Sequence, residues 1–134
     1  MAEDKAKREI GVGMPAFLYL EEFGSQVWHA FGHLPYLVGT ALVGKEWRDV
    51  DVRLILSDEE YFALFGERAR IERTCGKWVA LCLAFSALGK QMTGLPIDFQ
   101  IQQQTKANEQ FKGQPRQGLG YVALRMAKHV EEPP

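Results

Sequence analysis

Cysteine is scarce in this chain. The two present in 134 residues, Cys75 and Cys82, are too few for a disulfide scaffold and lack a metal-ligand spacing. Seven apart in an apolar helical stretch, they are expected to be buried, reduced thiols. No run of about 18 apolar residues occurs, so no membrane span is expected. The N-terminal MAEDKAKREI is charged, with no apolar signal-peptide core behind it, and the expected location is cytoplasmic. An excess of one charge is also missing: 16 Lys and Arg stand against 17 Asp and Glu, for a formal net charge of −1. That argues against a broad basic surface gripping duplex nucleic acid, and leaves a nucleotide, a nucleic-acid end or a protein as ligand. The GVG at 11–13 lacks a third glycine and follows no strand, which argues against a dinucleotide-binding loop; it reads as merely flexible.

What is there is an ordinary globular composition, 46% apolar and 25% charged. The length suits one domain over 1–134, with a core at about 16–101 and a polar C-terminal extension at 102–134. No internal repeat is evident. Pro15 suits a helix start, and Phe17, Leu20, Val27 and Phe31 recur at helical spacing from Ala16 to about Phe31, where Gly32 and Pro35 end it. Gly24 weakens that helix. Tyr36–Val38 is a short strand candidate and Val50–Leu56 a clear strand. Ser57 followed by three acids starts a short helix that Gly66 breaks. A longer helix is predicted from about Ile71 to Leu88, apolar nearly all round and so the buried central helix. Ile97–Ile101 alternates as a second clear strand. Short helices are expected near Lys106–Phe111 and Tyr121–His129. A helical crossover makes Val50–Leu56 and Ile97–Ile101 parallel, while the short link at 39–49 pairs Tyr36–Val38 antiparallel to Val50–Leu56. The predicted fold class is α+β: a small mixed sheet with helices packed mainly on one face.

The segment VGTALVGKEWRDVDVRLIL, residues 38–56, begins an apolar strand with two like charges. Alternation puts Asp49, Asp51 and Arg53 on one face and Val50, Val52, Leu54 and Leu56 on the core face. On the second strand Asp98, Gln100 and Gln102 oppose Ile97, Phe99 and Ile101. If the strands are neighbours, three carboxylates gather on one polar face. Like charges held that close destabilise the fold unless a cation joins them. Magnesium is the natural cation, taking a carboxylate or two together with phosphates and water. Two such ions, bridged by Asp49 and Asp51 with Asp98 on one of them, would activate a hydroxyl and stabilise a leaving pyrophosphate. Gly39 lets backbone approach a phosphate and Thr40 offers it a hydroxyl. Lys45 and Arg48 lie where they could neutralise a triphosphate.

Gly39-Thr40, a short loop, Asp49-Val50-Asp51 and then Ile97-Asp98-Phe99 resemble the signature of the DNA polymerase β-like nucleotidyltransferase superfamily. The resemblance covers about Tyr36 to Ile101, and in size the chain is similar to the minimal members. It implies a nucleotidyltransferase-like fold and a metal-dependent transfer of a nucleoside monophosphate from a nucleoside triphosphate to a hydroxyl acceptor. On that resemblance Gly39 and Thr40 bind the nucleotide phosphates, Asp49 and Asp51 hold both magnesium ions, and Asp98 helps activate the acceptor. Minimal members include antitoxins that adenylylate a partner toxin, so a protein acceptor is implied beside a small molecule. Two positions depart from the pattern. Thr40 is bulkier than the usual serine or glycine, and Arg53 replaces a residue that is often apolar.

Arg53 divides the readings. Contacting the nucleotide or acceptor, it belongs to an enzyme; paired with Asp51 or Asp98 in place of a metal, it leaves an inactive interaction module of the same fold. A small binding domain with solvated aspartates is the bland alternative. His29 and His33 have a zinc-compatible spacing but no third ligand, and capping or half-buried roles are expected. Trp28, Trp47 and Trp78 read as packing residues, with only Trp47 placed to stack on a base. Gln102 and Arg116 are the polar residues of the extension placed to touch acceptor or nucleotide.

Overall fold

The computed structural model describes residues 10–67 and 72–120. The expected helix at Tyr121–His129 and the start of the long helix at Ile71 lie outside the described residues. Helix α1, Ala16–Phe31, begins directly after Pro15. It stops at Gly32, whose φ of 80° lets its N–H cap the Trp28 carbonyl at 2.7 Å. Strand β1 (Tyr36–Val38) follows, then a single helical turn, α2 (Thr40–Val43), and strand β2 (Val50–Leu56). Helix α3, Asp58–Phe65, opens with a capping box: the Ser57 hydroxyl accepts from Glu60 N–H, and the Glu60 carboxylate accepts from Ser57 N–H. A 3-10 turn at Glu72–Thr74 leads into α4 (Gly76–Thr93). Strand β3 (Ile97–Gln103), helix α5 (Gln104–Gln110) and the two-residue strand β4 (Gln117–Gly118) complete the order.

The sheet runs β3-β2-β1-β4. β2 and β3 are parallel and β1 is antiparallel to β2, as the crossover and the short link require. α1 and α4 cover one face. There Val50, Val52, Leu54, Ile101 and Phe99 are buried with Leu20, Phe23 and Val27 of α1, and the Phe23 ring meets Phe99 edge-on. Trp78 of α4 is anchored by its indole N–H on the Ile101 carbonyl at 2.7 Å.

Several expectations need correction. α4 is not surrounded by core: Leu83 is 66% exposed and Leu88 is also exposed. One side of α4 rests on the sheet and another on α1, so the third must face outward. Cys75 precedes α4 as its N-cap rather than lying within it. Cys82 is buried, and desolvation pushes its thiol up to about 11. The GVG segment is packed, not merely flexible. Gly11 N–H bonds the Ala41 carbonyl, Trp47 Nε1 donates to the Gly11 carbonyl, and an added Cβ at Gly11 would overlap Gly44. Gly24 serves close approach, since a Cβ there would lie 2.6 Å from Leu119 Cβ.

The polar extension also joins the fold. Leu119 is fully buried, and Gly120 N–H bonds Glu21 on α1. α5 is pinned by Asp58, whose carboxylate accepts the Thr105 hydroxyl and, at 3.0 Å, the Thr105 amide. Those bonds, the hydroxyl's first, hold the Asp58 carboxyl below its ordinary range. Its folded pKa lies below the unfolded value of about 3.9, so the attachment is complete above that value and lost as pH falls through the folded pKa. Hydrogen exchange should therefore show Thr105 protection collapsing on acidification, and low protection throughout in Asp58→Ala.

Candidate active site

On the uncovered face of the sheet, the parallel register sets Asp51 directly opposite Asp98 and Arg53 opposite Gln100. Val50 N–H bonds the Pro96 carbonyl at 2.9 Å, locking the start of β2 against the start of β3. The antiparallel pair places Val38 opposite Asp51, which brings the turn after β1 to the same carboxylate. Gly39 there has φ 75° and ψ −157°, a region essentially reserved for glycine. A Cβ at Gly39 would lie 2.5 Å from Asp51 Oδ2. Both facts explain the glycine. Gly39→Ala should cost about 1–3 kcal/mol of stability, read by denaturant unfolding, and displace the Asp51 carboxylate.

Arg53 points into the acids. Its Nη2 is 3.3 Å from Asp98 Oδ2 and 3.7 Å from Asp51 Oδ1. Its Nη1 donates to the main-chain carbonyls of Asp98, at 2.6 Å, and Val52, at 3.2 Å. The guanidinium is thus held by backbone as well as by charge. Burial raises the Asp51 pKa; Arg53 opposes that, while Asp98 and Asp49 add to it.

Among the described residues no group of three or more His, Cys, Asp or Glu side chains is arranged to hold a metal ion. Arg53 lies within ion-pair reach of both Asp51 and Asp98. Asp51 Oδ2 and the exposed Asp49 lie clear of those two contacts. Two carboxylates fit the needs of magnesium when phosphates and water supply the other ligands, so the donor set fits one nucleotide-bound ion. A second ion at Asp98 would compete with Arg53.

Two clefts meet at Asp51. One, of about 630 Å³, is open and bounded by Thr40, Glu46, Trp47, Arg48 and Asp49. The other, of about 350 Å³, runs over β1 and β2 under the segment after α5. Gly39 and Arg53 border this second cleft, as do Gln102 and Arg116. Lys45 is exposed and lines neither of them. The histidines do not form a pair on one helix. His29 sits in the last turn of α1, and His33, past its end, bonds Glu60 at 2.9 Å. What sequence reasoning missed is the contribution of Gln110, at the end of α5, and of Phe111 and Gln114 beyond it to the smaller cleft, between the α5 attachment at Asp58 and the return of β4 onto β1.

Comparison of the chain with protein families, curated proteins and solved structures gave no match. The class its fold defines is α+β with a four-stranded mixed sheet. No helix among the described residues is long and apolar enough to cross a membrane.

Proposed function

We propose that the protein is a minimal, metal-dependent nucleotidyltransferase with a DNA polymerase β-like nucleotidyltransferase fold. It moves a nucleoside monophosphate from a nucleoside triphosphate to a hydroxyl on a protein or small molecule. The observation that carries this reading is the register pairing of Asp51 with Asp98, with Gly39 closed against Asp51. Asp49 and Asp51 would hold magnesium, which when bound supplies charge for the phosphates. Thr40 and Arg48, in the open cleft, receive the β- and γ-phosphates. The acceptor oxygen forms a bond to the α-phosphorus as the bond to the bridging oxygen breaks, and pyrophosphate leaves. The hydroxyl proton passes to Asp98, whose Oδ1 is the oxygen not paired with Arg53.

A second reading is favoured by the Arg53 ion pairs: an inactive module of this fold in which the guanidinium permanently replaces metal. Calorimetry with each of the four triphosphates separates the two. Magnesium-dependent binding is expected for the enzyme, and no binding with or without magnesium would leave the inactive module.

A further inference from the structure

We propose that this site takes one metal ion, and that Arg53 is a built-in cation standing where a second ion would sit, between Asp51 and Asp98. The inference rests on the nucleotidyltransferase reading and departs from the two-ion arrangement that the family resemblance implies. It starts from how Arg53 is held. An arginine tied only to carboxylates can swing away when a metal ion competes for them. This one is tied to main chain as well, since Nη1 donates to the carbonyls of Asp98, at 2.6 Å, and Val52, at 3.2 Å. Its side chain is only 13% exposed. To leave, it must give up both carbonyls in a largely buried place, where a lost partner is costly.

An ion bridging Asp51 and Asp98 would need the oxygens that face Nη2. Those are Asp98 Oδ2, at 3.3 Å, and Asp51 Oδ1, at 3.7 Å. Two cations do not share such a gap, because like charges a few ångströms apart repel strongly away from bulk water. Gln100 occupies Asp98 further: its Nε2 donates to Oδ1 at 3.4 Å and lies 3.5 Å from Oδ2. Asp51 Oδ2 lies instead against Gly39, and Asp51 borders the open cleft together with Asp49. The charges agree. With all three carboxylates ionised, Arg53 leaves two negative charges, which a single divalent ion balances.

The arrangement has a chemical consequence. In a two-ion site, the ion on the acceptor side steadies charge on the attacking oxygen. Here a guanidinium supplies a fixed positive charge in its place, as arginine clamps do on transferring phosphoryl groups. Arg53 also borders the smaller cleft beside Asp51, within the space a bound phosphate would face. Arginine offers donors only, so the hydroxyl proton still passes to Asp98. Asp98 is then a base held in position by Arg53 and Gln100, not a metal ligand.

The test is to count manganese bound per chain by electron paramagnetic resonance, with non-hydrolysable analogues of the four triphosphates added one at a time. The parent should hold one manganese with nucleotide bound, Arg53→Lys also one, and Arg53→Met two. Asp98→Asn should keep its single ion, with affinity reduced by less than about 10-fold, the lower bound for a residue that supports a ligand. Two ions in the parent, or one in folded Arg53→Met, overturns the inference and leaves the transferase reading standing. Loss of the ion in Asp98→Asn places it on the Arg53 side and also overturns the inference, whether or not Arg53→Met folds. Absence of a manganese–nucleotide complex with all four analogues sinks the transferase reading itself, and the one-ion site with it.

Discussion

Arg53→Met should melt well below the parent protein in chelator and recover most of the loss when magnesium is added. The Arg53 side chain is 13% exposed, and the carboxylates beside it, Asp51 and Asp98, are 28% and 40% exposed. Removing the cation leaves Asp51 and Asp98 facing each other across the register with Asp49 nearby. Full burial of an orphaned charge costs 3–5 kcal/mol; partial solvation here reduces that to roughly 2 kcal/mol. A divalent cation can replace the missing charge, and an ion at ten times its dissociation constant restores about 1.4 kcal/mol. The parent, with Arg53 in place, should gain much less from magnesium alone. Differential scanning calorimetry in chelator and in magnesium reads both effects. An equal loss in both conditions would show that Arg53 acts by packing and main-chain hydrogen bonds, not as the counter-charge of the acids.

Asp51→Asn should make the metal-free protein more stable while removing magnesium-dependent nucleotide binding. Asp51 is half-buried among like charges, so its folded pKa lies above its unfolded one, with burial the main cause. A raised carboxyl pKa means that the ionised form is penalised in the folded state above the unfolded pKa, and the penalty is relieved as pH falls through the folded value. The amide keeps the shape and drops the charge, which should gain roughly 0.5–2 kcal/mol at neutral pH. The same change removes a carboxylate shared by both clefts and should weaken magnesium–nucleotide binding by more than about 100-fold. Stability gained together with binding lost is the mark of a site held at a cost to the fold. Stability lost would instead give Asp51 a structural role as partner of Arg53.

Much of this arrangement was legible in the sequence because alternation on a strand leaves little freedom. Once Val50, Val52 and Leu54 are core, Asp51 and Arg53 must face away, and the burial pattern of β2 follows that rule residue by residue. The helical crossover between β2 and β3 made their parallel direction legible, while the register that sets Asp51 opposite Asp98 required the structure. Elements with few internal contacts were not legible. α2 is one turn, and β4 is two residues whose pairing depends on Tyr36 and Leu37, some 80 positions earlier in the chain. The apolar middle of α4 suggested a buried central helix because composition does not show which side of a helix is left without a partner, as Leu83 is. Gln110, Phe111 and Gln114 gave no local signal, since a polar stretch becomes a cleft wall only after the chain returns to the sheet. The Arg53 geometry was posed by the sequence and required side-chain positions to describe.

The central claim is that Asp49 and Asp51 hold a nucleotide-bound metal ion. Manganese in place of magnesium, with a non-hydrolysable triphosphate, tests it by paramagnetic broadening of amide resonances. The account predicts nucleotide-dependent broadening centred on 38–41, 49–53 and 97–99, lost in Asp49→Ala. Broadening centred elsewhere, or unchanged in Asp49→Ala, would contradict it.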